Sequence, residues 1–234
     1  VAPAISAATL QSLPWQPLQP PVSQEVKLDA VSPQLNQGEI QGAIAAYTLP
    51  ADRGSLEVTL SSLAKNNSLY APSVLVLDEH LRPAAYYPSS YFPYQPPGAM
   101  SSDRLEGTLK LTPALGQKQI YLLVYTTRQD LAKTTQLTNP AKAYAQGVGN
   151  AVPDIPDPIA GHATTGTLKL KVTAEQGTGN VMIGMLQPAP TVAPVVVGSS
   201  APAAVAAPAP APEKPAEPML SDTESYFNNG IKQA

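Results

Sequence analysis

Apolar residues recur in short, strand-length groups through the middle of the chain. In SLEVTLSS, Leu56, Val58 and Leu60 alternate with polar side chains. This period-two pattern is typical of a strand with one buried face. The same alternation occurs in RLEGTLKL and TLKLKVTA. These three segments therefore predict strands at the surface of a sheet-based core.

Other apolar groups lack the alternation. SVLVLD and QIYLLVYTT are apolar on both faces, as expected for central strands, and AIAAYTLP and VMIGML are further candidates. About seven short strands with turn signals between them favour an antiparallel sandwich of two sheets. The predicted fold is all-β, a jelly-roll-like β-sandwich over residues 42–186.

The segment before the sandwich, residues 1–41, is predicted to be an extended lead-in. Within it SAATLQSL could form two helical turns with Ser6 as the N-cap, and Trp15 is interpreted as a packing anchor. A second short helix is predicted at Asn139, because Pro140 would then occupy the first helical position.

The segment after the sandwich, residues 187–218, is rich in proline and alanine and is predicted to be a semi-rigid linker. Residues 219–234 then begin a helical segment in which Ser221 and Glu224 form a capping box. A short amphipathic helix at the end of a tether suggests a docking element. Its apolar residues are Tyr226, Phe227 and Ile231.

Charge and composition exclude several kinds of protein. Charged residues make up only 13% of the 234 residues, and the net charge is −3. Because no basic patch could neutralise a run of phosphates, we expect no nucleic-acid partner. The chain has no cysteine, which removes disulfides and thiol catalysis. No apolar run approaches the roughly 18 residues of a membrane span, so a soluble protein is expected.

An aromatic cluster interrupts the strand pattern. YYPSSYFPY, from Tyr86 to Tyr94, holds five of the chain's thirteen aromatic residues among prolines. Prolines keep the segment out of a central sheet, which leaves a loop over the sandwich or an edge. Three interpretations stay open: rings packed beneath the loop, a protein interface, or a platform for sugar. Phe92 is the expected buried member, while Tyr91 and Tyr94 are expected to be exposed.

Catalytic chemistry finds little support in the residues. His80 and His162 each stand apart from other histidines, and no G-x-S-x-G nucleophile motif occurs. Carboxylates three apart beside prolines usually cap turns. We therefore predict no catalytic residues, no metal site and no cofactor. The carboxylate pairs in question are Asp103 with Glu106 and Asp154 with Asp157.

Four stretches of the chain resemble the MalM family, the periplasmic proteins of the maltose operon in enteric bacteria. They are FPYQPPGAMSSDRLEGTLKLTPALGQ, PAKAYAQGVGNAVPDIPDP, the Pro/Ala-rich segment and EPMLSDTESYFNNGIKQA. The resemblance implies a Gram-negative periplasmic protein that is co-expressed with maltodextrin uptake. It supplies no established catalytic residues that could be carried over.

Three functional hypotheses follow from these features. The first is a non-catalytic accessory of maltose and maltodextrin uptake that docks to a component of the route such as maltoporin. The second is a maltodextrin-binding carbohydrate module that uses Tyr87, Tyr91 and Tyr94 as an exposed platform. The third is an enzyme that acts on a glycan.

Overall fold

Strands dominate the computed structural model, which describes residues 2–175, 194–198 and 205–206. They form two six-stranded sheets and a small three-stranded sheet. Apolar side chains of the two large sheets meet in one buried cluster. This arrangement confirms the predicted all-β sandwich.

The first large sheet, sheet 1, contains the strands whose sequences are apolar on both faces. Its order is β1-β3-β10-β6-β7-β15, and the pairs at its centre are antiparallel. The strands are β1 (Gln16–Pro17), β3 (Ala45–Pro50), β6 (Ser73–Leu77), β7 (Pro83–Tyr87), β10 (Gln119–Tyr125) and β15 (Val205–Ala206).

The second large sheet, sheet 2, contains the alternating strands in the order β14-β9-β4-β13-β2, and β8 pairs with β9. Leu56, Val58 and Leu60 all point into the core, as the alternation predicts. The strands are β2 (Val22–Leu28), β4 (Leu56–Leu63), β8 (Tyr94–Gln95), β9 (Arg104–Pro113), β13 (Gly166–Ala174) and β14 (Val195–Val197).

The remaining elements lie around the sandwich. The three-stranded sheet has the order β11-β12-β5, from β5 (Ser68–Leu69), β11 (Thr134–Gln136) and β12 (Ile159–His162). The helices are α1 (Ala7–Ser12), α2 (Arg128–Leu131) and α3 (Pro140–Gly147), with a 3₁₀ turn at Ser89–Tyr91. No helix in the described ranges is long and apolar enough to cross a membrane.

Sheet 1 is buried on both faces, which explains its continuously apolar strands. Its inner face packs on sheet 2, and its outer face is covered by α1 and the loop that precedes β3. Ser6 caps α1 by accepting a hydrogen bond from the Thr9 N–H. The Trp15 indole donates to the Leu10 carbonyl at 2.8 Å and meets the Tyr121 ring edge-on. Trp15 is therefore the packing anchor that the sequence predicted.

The sequence separates residues 1–41 from the sandwich, but the structure uses this segment in both sheets. β1 pairs in parallel with β3, and β2 pairs with β13 along its whole length. The pattern of β2 is hard to recognise because Gln24 occupies an inward position. Gln24 reaches the Tyr47 hydroxyl, so its polar group is satisfied within the sandwich.

Parts of the predicted linker also lie against the sandwich. β14 pairs in parallel with β9, and β15 pairs in parallel with β7. Val197 is fully buried, and its carbonyl accepts hydrogen bonds from the Ala114 N–H and the Gln117 amide, both at 2.7 Å. For these residues the expectation of a spacer separate from the body is corrected. The reason is that these two short segments contain valine and no proline, so their backbones can pair with a neighbouring strand.

Other predictions about the C-terminal part stay untested. The strand VMIGML and the helix with Tyr226, Phe227 and Ile231 lie outside the described residues. The ends of the linker at residues 187 and 218 lie outside them as well.

The Asp157 carboxylate holds the start of α3. Asp157 accepts the Asn139 backbone N–H at 2.8 Å and pairs with Lys142 at 3.5 Å. The hydrogen bond from Asn139 is the main cause that lowers the Asp157 pKa below 3.8. The ionised Asp157 carboxylate therefore stabilises the folded protein above about pH 4. This stabilisation is lost as the pH falls through the lowered pKa of Asp157.

We expect Asp157→Asn to reduce the acid sensitivity of the protein. The urea midpoint of the parent chain will drop between pH 6 and pH 3 by more than that of the variant. Asp154→Asn removes the same charge from an exposed side chain three residues away and is the matched control. Equal drops in the parent and in Asp157→Asn would contradict the assigned role.

Candidate functional site

The aromatic segment connects the two large sheets. Residues 86–95, which we call the aromatic crossing, begin in β7 of sheet 1 and end in β8, which pairs with β9 of sheet 2. Between these strands lies the 3₁₀ turn Ser89–Tyr91. The crossing therefore connects the two sheets and also adds the short strand β8 beside β9. Both positions were expected for it, because its prolines keep it out of the centre of a sheet.

The rings of the crossing pack inside the sandwich. Tyr87 and Tyr91 meet edge-to-face at 4.8 Å, and Tyr91 meets Phe92 in the same way at 5.8 Å. Phe92 is 1% exposed, as predicted, but Tyr87 is also 1% exposed and Tyr91 only 6%. The prediction that Tyr91 is exposed is wrong, because the 3₁₀ turn directs its ring back onto Tyr87. Tyr87 and Tyr91 therefore present no open platform to a sugar.

Tyr94 is half-buried and fastens the far end of the crossing. Its hydroxyl donates to the Asp103 carboxylate and accepts the Thr138 N–H at 2.8 Å. Burial is the main cause that raises the Tyr94 pKa, so the phenol stays protonated and able to donate. Because its hydroxyl both donates and accepts a hydrogen bond, Tyr94 links the crossing to Asp103 and Thr138.

A cleft lies beside the crossing on the outer face of sheet 1, and we call it the crossing cleft. Its volume is about 550 Å³, within the roughly 300–1,000 Å³ of small-molecule sites. Four separate parts of the chain meet around it: the N-terminal residues 2–4, the loop residues 38 and 39, the aromatic crossing, and the segment 125–133 from the end of β10 past α2. The lining residues are Ala2, Pro3, Ala4, Gly38, Glu39, Tyr86, Pro88, Ser89, Ser90, Tyr125, Thr127, Gln129, Asp130 and Lys133.

Two tyrosine side chains contribute to the cleft wall. Tyr86 is half-buried, and Tyr125 is fully buried. The Tyr125 hydroxyl makes no well-formed hydrogen bond within the described part of the chain, although the Tyr86 hydroxyl is close enough to act on its pKa. Burial is the main cause that raises the pKa of each phenol, and the Asp130 carboxylate adds to it. Both phenols are therefore neutral donors at neutral pH.

The side chain of Asp130 is buried and lines the same side of the crossing cleft. The Ser89 hydroxyl donates to one carboxylate oxygen at 2.8 Å, and the Thr127 hydroxyl donates to the other at 2.9 Å. Asp130 is only 7% exposed, and no ion pair in the described residues involves it. The group is thus a carboxylate held by neutral donors beside an open cavity.

His162 supports this wall from behind without touching the carboxylate. Its Nδ1 lies 2.7 Å from the Asp130 backbone carbonyl, and its Nε2 lies 2.7 Å from the Thr135 hydroxyl. Because a carbonyl can only accept, Nδ1 carries a proton and donates it to the Asp130 carbonyl, while Nε2 shares a hydrogen bond with the Thr135 hydroxyl. His162 thus links α2 to β11 through both ring nitrogens, whereas the His80 side chain is 65% exposed in a turn.

The carboxylates that the sequence offered for catalysis have structural partners. Asp103 accepts from Tyr94, Glu106 accepts from the Ser61 hydroxyl at 2.6 Å, and Asp157 holds the start of α3. Asp154 is exposed. Nowhere in the described ranges do three or more histidine or acidic side chains gather in a way that could hold a metal ion.

Sequence reasoning missed the residues of the crossing cleft. Tyr125 ends a segment that the sequence predicts to be a central strand, and Asp130 belongs to none of the motifs considered above. One local signal for Asp130 exists, since Thr127 followed three residues later by an acidic residue is a helix N-cap pattern. Thr127 does accept the Asp130 N–H at 3.1 Å. The pattern does not show that Ser89 and Tyr86 lie nearby.

Comparison with known proteins identifies the family. Residues 39–172 match the family model described as maltose operon periplasmic protein precursor (MalM). The chain belongs to the MalM family. The matched region runs from the cleft residue Glu39 to the end of the sandwich core in β13, so it contains the aromatic crossing and most of the crossing cleft.

Two relatives support MalM membership over the full chain. The maltose operon periplasmic protein of Escherichia coli is 55% identical over 234 residues, which is 100% of this chain and 76% of the relative. The protein of the same name from Salmonella typhimurium is 52% identical with the same coverage. MalM membership places the protein in the periplasm and in the maltose system.

The similarity to solved structures is weak. The pre-peptidase C-terminal domain of a collagenase from Bacillus anthracis is 13% identical to this MalM chain. The match covers 68% of this chain and 93% of that domain, with a TM-score of 0.29. At that score the likeness supports neither a shared topology nor a shared activity.

Proposed function

We propose that the protein is a non-catalytic accessory of maltose and maltodextrin uptake that docks onto a component of the transport route, with maltoporin as the first partner to test. The observation that supports this proposal most directly is the 55% identity, over the whole chain, to the maltose operon periplasmic protein of Escherichia coli. The structural use of Asp103, Glu106 and Asp157 is consistent with a body that performs no chemistry.

The proposed docking element is the C-terminal segment with Tyr226, Phe227 and Ile231. Apolar and aromatic residues that become buried at an interface contribute most of its binding energy. In the printed sequence the three residues follow a capping box at helical spacing. A polar sequence surrounds them, which makes these three the residues whose loss would weaken docking most.

The test is binding of the full chain to purified maltoporin in detergent, measured by biolayer interferometry. Replacing Tyr226, Phe227 and Ile231 together with alanine should weaken binding at least tenfold. The matched control replaces the polar neighbours Asn228, Asn229 and Lys232 with alanine and should bind as the parent does. Unchanged binding by the apolar variant, or no binding by the parent, would overturn the docking proposal.

The non-catalytic part of the proposal has its own readout. Maltose, maltotriose and maltoheptaose incubated with the parent chain should be recovered unchanged by chromatography. Formation of shorter or longer glucans in proportion to protein concentration would contradict it and would revive the enzyme hypothesis.

A further inference from the structure

We infer that the crossing cleft is a binding site for a neutral sugar, with Tyr86 as the stacking ring and the Tyr125 hydroxyl and Asp130 carboxylate as polar contacts. This site differs from the tyrosine platform expected from the sequence, because Tyr86 points to the opposite face of sheet 1 from Tyr87. The inference goes beyond the proposed docking and does not depend on it.

The first observation is an unused hydrogen-bonding group. The Tyr125 hydroxyl is buried and lines the cleft. The Tyr86 hydroxyl lies near enough to interact with it, but no described residue meets it in good hydrogen-bond geometry. Buried hydroxyls almost always have a partner, since leaving one unpaired costs free energy. A ligand hydroxyl in the cleft would supply that partner.

The second observation is acceptor capacity at Asp130. Each carboxylate oxygen can accept about two hydrogen bonds, and the hydroxyls of Ser89 and Thr127 supply one to each. The remaining capacity lies in the wall of a cavity that Ser90 and Gln129 also line, and these two side chains can both donate and accept. Adjacent hydroxyl groups on a sugar ring match such a mixed set.

Charge favours a neutral ligand over an anion. Among the lining residues, Glu39 and Asp130 are acidic and Lys133 is basic, which leaves the cleft with an excess of one negative charge. A phosphate or another compact anion would meet two carboxylates for one ammonium group. A sugar has no charge to oppose, and its apolar ring face can lie on the Tyr86 ring.

The experiment measures binding of maltose, maltotriose and maltoheptaose to the full chain by isothermal titration calorimetry. We expect saturable binding of at least one of them and about tenfold weaker binding by Tyr125→Phe, which loses one hydrogen bond to the ligand. Tyr87→Phe is the matched control, because its hydroxyl is also buried and without a partner among the described residues but lies outside the cleft. Tyr87→Phe should bind as the parent does.

A second variant does not depend on a core substitution. Ser90 is exposed at the rim, so Ser90→Trp should fill the cleft entrance and abolish binding while leaving the melting temperature unchanged. Sugar binding that persists in Ser90→Trp and in Tyr125→Phe would overturn the site. Absence of heat with all three sugars at about 10 mM would overturn the ligand class. Binding of putrescine or inorganic phosphate in place of sugar would do the same.

Discussion

Phe92→Ala is expected to lower the free energy of unfolding by about 3–5 kcal/mol, the range for removing a fully buried phenylalanine ring. Phe92 is 1% exposed and packs edge-to-face on Tyr91 at 5.8 Å. The aromatic crossing is fixed at both ends by β7 and β8, so the backbone cannot move inward to fill the cavity. The whole transfer and cavity cost should therefore appear in the measurement.

Urea unfolding at neutral pH, followed by circular dichroism, measures this effect. Tyr144→Ala removes a ring of similar size from an exposed position of α3, where the side chain is 70% exposed. That control should change the free energy of unfolding by less than about 0.5 kcal/mol. A loss below about 1 kcal/mol in Phe92→Ala would show that the crossing is not anchored by its rings.

The crossing performs two tasks with adjacent residues. Tyr87, Tyr91 and Phe92 place their rings in the core, whereas Ser89 and Ser90 line the cleft. Packing of the rings fixes the backbone between them, and this backbone carries the hydroxyl that donates to Asp130. The concentration of aromatic residues among prolines is therefore explained by anchoring. The polar residues between the rings are the ones that can contact a ligand.

Period-two and fully apolar patterns predicted the body of the sandwich. β4, β6, β9, β10 and β13 all lie where the sequence placed them, because each strand has at least one face against the core. Local signals also predicted α1 and α3, whose N-caps Ser6 and Asn139 both accept hydrogen bonds from the first helical turn. These features depend on neighbours in sequence, which a single chain displays directly.

Contacts between distant segments could not be predicted in this way. The pairing of β14 with β9 joins residues more than eighty positions apart. The crossing cleft brings together residues near positions 3, 39, 88 and 130. A buried hydroxyl without a partner, such as that of Tyr125, resembles an ordinary core tyrosine until its surroundings are known. The candidate site therefore had to come from the structure.

Gly107 allows the crossing to lie close to sheet 2, so a larger residue at this position should destabilise the fold. Gly107 lies in β9 opposite Leu60 of β4. A Cβ atom at this position would lie 2.5 Å from the Tyr91 carbonyl oxygen and 2.8 Å from the Phe92 ring. Neither neighbour can yield easily, since one is backbone and the other is a fully buried ring.

Gly107→Ala should therefore destabilise the protein by about 1–3 kcal/mol, as overpacked cores do, and the urea midpoint should fall accordingly. Gly161→Ala is the matched control in β12, because a Cβ there meets no atom within 4 Å. Reduced freedom of the unfolded chain should make that control neutral or stabilising by up to about 1 kcal/mol. If both variants shift the midpoint equally, glycine serves at position 107 for a reason other than space. The expected result is that only Gly107→Ala loses stability and that adding Phe92→Leu to it restores part of the loss. Close contact between the crossing and β9 would then set the position of Ser89 and Ser90 at the cleft.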